Sequence, residues 1–130
     1  MKFMPFKIIS VKNGESPEKE YVYLKATTPV NTKNYALVDF TFDGEGNMTN
    51  EFRHIYVFPE IELATGEHVV LCSGNGIDEI KQFKNTEIDY VALHWGVKSC
   101  VWNDNGGDKA TLIKFDIVNS KDVSAVEKNN

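Results

Sequence analysis

The chain has 130 residues, of which 42% are hydrophobic and 25% charged, so it falls among ordinary globular domains rather than disordered chains. At this length it is read as a single domain over residues 1–130, large enough to bury roughly two-thirds of the surface of its unfolded chain. Lysine and arginine number 14 against 19 aspartates and glutamates, a formal charge of -5; that balance argues against nucleic acid as a first partner, although a local basic patch can still form in space.

Residues 1–9 lack the continuous apolar run and small-residue cleavage site of a secretory signal, and no stretch is long and apolar enough for a membrane-spanning helix. The expected location is cytoplasmic by default, and extracytoplasmic if the sequence is an excised domain. Along the chain, short runs rich in Val, Ile, Tyr and Phe alternate with Gly, Asn, Asp and Pro, the rhythm of an all-β sandwich or barrel. The runs predict strands near residues 6–11, 20–26, 35–42, 52–58, 68–72, 90–93, 101–102, 110–118 and 122–126. Period-two alternation puts Val22, Leu24 and Ala26 on a core face and Tyr21, Tyr23 and Lys25 on the other. Ile77, Ile80 and Phe83 recur at three-residue spacing, which predicts a loop with a turn or two of helix; residues 127–130 are a solvated tail.

Glu20–Lys25 resembles the early strand of the lamin-tail domain, the immunoglobulin-like sandwich of nuclear lamins that also occurs in bacterial proteins, and Val30–Asp39 resembles its next turn and strand. In the same way Phe58–Leu71 resembles its phenylalanine-proline turn and glycine-glutamate bend, and His94–Leu112 its late turn of tryptophan, asparagine, aspartate and glycine. The likeness covers Glu20 to about Ser124; Ala26, Thr32 and Thr65 replace a usual asparagine, leucine and proline, and Tyr35 stands where tryptophan is common. The resemblance implies an immunoglobulin-like, mostly antiparallel β-sandwich with inward-facing Tyr35, Leu37, Ala110 and Leu112. It implies a binding or scaffolding module without shared catalytic residues.

Clusters that suggest chemistry have simpler readings. Asp43, Glu45, Asn47 and Glu51 are oxygen donors, but an EF-hand loop would need glycine at Met48 and glutamate at His54, so a polar hairpin connection accounts for them. Asn103, Asp104, Asn105 and Asp108 are turn formers beside Gly106 and Gly107. His54, His68 and His94 are too dispersed for a short metal motif, and His94 near Cys100 has neither an orienting third group nor an oxyanion loop nearby in sequence. Cys72 and Cys100 lie in no CxxC pattern and are either two buried thiols or one bridge across the sandwich. No catalytic residue, cofactor or metal site is therefore assigned.

The expected core anchors are Val22, Leu24, Tyr35, Leu37, Trp102 and Leu112, with Trp95 divided between core and ligand groove. If Tyr35, Leu37, Ala110 and Leu112 point inward, then Val38, Phe40, Phe42, Ile113, Phe115 and Ile117 face the opposite side. Apolar residues on both faces call for a bulge, for cover by another part of the chain, or for a surface that docks a partner. The function expected is a non-catalytic interaction module for an unidentified protein, itself included; polyanion binding comes second and a metal-dependent hydrolase third.

Overall fold

The computed structural model describes residues 3–42, 45, 48–102 and 109–126, without the side chains of residues 40–42 and 48–53. The described residues form strands β1 (Phe6–Lys12), β2 (Tyr21–Ala26), β3 (Val30–Asn31), β4 (Tyr35–Phe42), β5 (Met48–Val57), β6 (Glu62–Leu63), β7 (His68–Cys72), β8 (Glu79–Gln82), β9 (Asp89–His94) and β10 (Ala110–Lys114). A 3-10 turn over Pro17–Lys19 leads into β2, with proline at its first position, where the missing N–H costs nothing. The strands make a five-stranded sheet in the order β1-β2-β7-β9-β8, a three-stranded sheet β10-β4-β5 and the pair β3-β6. The fold is all-β and sandwich-like.

Alternation builds the layers. In β2, Val22, Leu24 and Ala26 are fully buried while Tyr21, Tyr23 and Lys25 are half-buried on the outer face. Val69 and Leu71 of β7, Tyr35 and Leu37 of β4, and Phe6 and Phe58 join the same core, against which Leu112 and Ala110 of β10 pack. Each fully buried aliphatic chain of this kind contributes on the order of 1.5–3 kcal/mol.

Several expectations are corrected. The segment with three-residue spacing contains a strand, because so short a run cannot offset helix nucleation whereas the open edge of β9 supplies backbone partners. The β8–β9 hairpin closes around Asn85, which sits at φ 64°, a left-handed conformation that asparagine tolerates. Ile77 and Ile80 are left exposed. The sheets are mostly antiparallel, as expected; the exception is β7 and β9, which run parallel and are joined through the excursion that forms β8. Val101–Trp102 is a bend rather than a strand. β10 stops at Lys114, short of residue 118, and residues 122–126 are not a strand.

Candidate functional site

The three-stranded sheet carries the surface that the sequence analysis singled out. Leu112 pairs with Leu37 and Leu37 with Tyr56, and this row faces the core. The alternate row therefore faces outward, with Ile113 and Val57 flanking Ala36, and Thr111 and Ile55 flanking Val38. Val38 is fully buried, so it is not itself a contact residue. Ile113 and Phe115 are half-buried. Ile117 is 71% exposed, but it lies beyond the ladder, which ends where Phe115 donates its N–H to the Asn34 carbonyl at 2.9 Å. The side chains of Phe40 and Phe42 lie outside the described residues, although the register shift between Asp39 and Phe40 marks a bulge there.

Ile55 and Val57, 46% and 55% exposed, complete the outward row. They were missed because residues 52–58 were read as a strand without assigned faces; the alternation of Ile55 and Val57 with His54, Tyr56 and Phe58 was the available signal. Of the expected anchors, Val22, Leu24, Tyr35, Leu37 and Trp102 are buried, and Leu112 is half-buried against the core.

An aromatic series crosses the interior. Phe6 meets Tyr35 and Phe58 edge-on, Phe58 meets Tyr56 at 5.1 Å, Tyr56 meets Trp95 at 5.7 Å, and Trp95 meets Trp102 at 6.1 Å. Trp95 packs against the core, while the buried Trp102 Nε1 has no hydrogen-bond acceptor among the described residues. Burial, reinforced by the Asp78 carboxylate, pushes the Tyr56 hydroxyl up to about 12. Edge-on to Trp95 lies His54, whose Nδ1 is 3.3 Å from Oδ2 of buried Asp39.

His94 makes a second such pair. Its N–H donates to Asp78 Oδ1 at 2.8 Å, and its Nδ1 lies 3.3 Å from the same oxygen. Each imidazole thus has one carboxylate, which orients a ring but provides no nucleophile. His68 instead sits on the outer face of the five-stranded sheet, edge-on to Phe83. Among the described residues, no three His, Cys, Asp or Glu side chains converge as metal ligands. Asp43, Asn47 and Asn103–Asp108 lie outside the described residues, as does the side chain of Glu51.

Both cysteines are free thiols. Cys72 Sγ donates to the Pro17 carbonyl at 3.6 Å and Cys100 Sγ to the Gly14 carbonyl at 3.5 Å, so the Cys100 proton is committed away from His94. Burial raises both thiols above their ordinary value, and the nearby Glu18 and Glu20 carboxylates add to it. Since the thiolate is the reactive form, Cys72 in the native chain should alkylate more than about tenfold slower than after denaturation. Equal rates would contradict its burial.

Glu20 has the largest structural role that sequence reading missed. It is fully buried, and its Oε1 and Oε2 accept the N–H groups of Val101 and Trp102 at 2.7 and 3.0 Å. The late bend is therefore anchored from the start of β2 across more than half the sequence. Comparison of the chain with family models, with curated proteins and with solved structures finds no match.

Proposed function

We propose that the chain is a non-catalytic interaction module of the lamin-tail, immunoglobulin-like type, which contacts another protein, a second copy included, through the outer face of its three-stranded sheet. The observation that carries this reading is the apolar row of Ile55, Val57 and Ile113 around buried Ala36 and Val38: aliphatic chains reach solvent there as neighbours rather than singly. The paired histidines supply no competing chemistry, because each is held by one carboxylate with no thiol or hydroxyl bonded to it among the described residues. Light scattering at rising concentration, combined with hydrogen exchange, tests it. Association should slow exchange along β5, and Ile55→Lys with Val57→Lys should abolish that slowing. Exchange along β5 that ignores both concentration and substitution would end the reading.

A second reading, polyanion binding, is favoured by the outer face of the five-stranded sheet. Register places Lys7, Lys25, His68, Tyr90 and Lys81 in one row across it, with Lys12 beside Tyr21 and with Tyr23 in the row between. The Tyr21 and Tyr23 rings lie 6.3 Å apart and those of Phe83 and Tyr90 4.5 Å apart; Glu79 partly offsets the charge by pairing with Lys81 at 3.5 Å. Lysines for phosphates beside rings for bases are what single-stranded nucleic acid requires, even on an acidic protein. A mobility shift of an oligothymidylate at low salt, weakened by Lys25→Glu and by Tyr23→Ala, is the expected result. No shift at low salt disposes of this reading.

A further inference from the structure

The free edges of the two sheets meet along a groove that is open among the described residues. β1 closes one end of the five-stranded sheet and β10 one end of the three-stranded sheet, so each has a single strand neighbour. Between them runs a groove of about 620 Å³, walled by Phe3, Met4 and Ile8 on one side and by Leu112 and Ile113 on the other. Phe3 and Met4 are 70% and 55% exposed at its mouth. Lys7 and Lys114 also line it, and among the described residues no carboxylate does, so its described lining is positive on a chain of net charge -5. The Lys114 ammonium is steadied 5.5 Å above the Tyr35 ring.

The same chain carries a segment suited to that groove. After β10 the backbone continues through residues 115–126 without joining any sheet, and Ile117, Val118, Val123 and Val126 are 71%, 94%, 93% and 89% exposed. Residues 122–126, Asp-Val-Ser-Ala-Val, have the composition and alternation of a short strand. Extended, they span roughly 17 Å, the length of the five-residue β10 edge. Unpaired N–H and C=O groups along an edge strand template the addition of another. The acidic Asp122 complements the two groove lysines.

We propose that residues 122–126 of one copy dock as an added strand in the groove between β1 and β10 of a second copy, with Val123 and Ala125 against its apolar floor and Asp122 beside Lys7 or Lys114. The donor is the second copy because none of residues 115–126 lines the groove of its own chain. This junction shares Ile113 with the outer face of the three-stranded sheet but uses neither Ile55 nor Val57.

Light scattering on the full chain should show a concentration-dependent dimer. Val123→Lys with Ala125→Lys, both at exposed positions, should leave the fold intact by circular dichroism and reduce association at least tenfold. Ile55→Lys with Val57→Lys should leave this dimer in place, which separates the junction from the outer-face reading. Lys7→Glu with Lys114→Glu should weaken association as well, and Asp122→Lys on that background should recover it. A wild-type chain that stays monomeric overturns the proposal, including the case in which the amides of residues 123–125 are protected in the monomer, since the segment then occupies its own groove. A dimer indifferent to Val123→Lys overturns it too.

Discussion

Replacing Glu20 with alanine is expected to cost about 3–5 kcal/mol of stability, since two buried N–H groups lose their only charged acceptor at once and each stranded donor costs roughly 1–3 kcal/mol. The carboxylate receives Val101 and Trp102 at 2.7 and 3.0 Å with no solvent access. Its own backbone is also engaged: the Glu20 N–H donates to the Pro17 carbonyl at 3.2 Å, and the Ser73 N–H donates to the Glu20 carbonyl at 3.1 Å. These bonds fix the main chain from which the carboxylate reaches the bend. Against a total stability typically near 5–15 kcal/mol, the loss is a large fraction. Glu20→Gln keeps one carbonyl acceptor but turns an NH₂ toward the other donor, so it should retain part of the stability. Urea denaturation followed by tryptophan fluorescence measures both variants, because the bend that Glu20 holds contains Trp102. An alanine variant within about 1 kcal/mol of wild type, less than one stranded donor costs, would show that the bend finds other acceptors.

The layered core was legible because alternation is a local property. Val22, Leu24 and Ala26 declare their face without knowledge of any partner strand, and they are fully buried. For Leu37 and Leu112 the inward orientation was an implication of the resemblance, from which alternation turned Val38 and Ile113 outward; it could not say that Val38 is fully buried, since that depends on the rest of the fold. Strand β8 was hidden for a related reason: Ile77 and Ile80 stay exposed, so their spacing reports no core at all, and pairing with β9 is a backbone matter. Residues 122–126 present the converse, a strand-forming sequence with no strand beside it in its own chain. Glu20 was missed because a charged residue at a strand entrance ordinarily faces solvent, and only the long-range return of Val101 and Trp102 makes it an interior acceptor.

Alkaline solution should unfold the protein more readily, and Tyr56 should contribute a measurable part of that loss. Packed between Phe58 and Trp95, its hydroxyl is raised from 10.0 to about 12 by burial first and by the Asp78 carboxylate second. The folded chain then holds this proton more tightly than the unfolded chain does. The stabilisation is fully present below pH 10 and is lost as the pH climbs from 10 towards 12; because the side chain is only partly buried, solvent screening holds the loss to roughly 1–2 kcal/mol, below the full value of about 1.36 kcal/mol per unit. Tyr21, raised by burial and by its neighbours Cys72, Tyr23 and Tyr90, bends the curve in the same direction, so the test must isolate Tyr56. Tyr56→Phe does so: it keeps the ring between Phe58 and Trp95 and removes the titrating group. Urea midpoints across the alkaline range should fall steeply for wild type and markedly less for Tyr56→Phe, with the two similar near neutrality. Superimposable curves would mean that the Tyr56 hydroxyl titrates in the folded chain as it does in water, and that the aromatic series between the sheets is open to solvent at Tyr56.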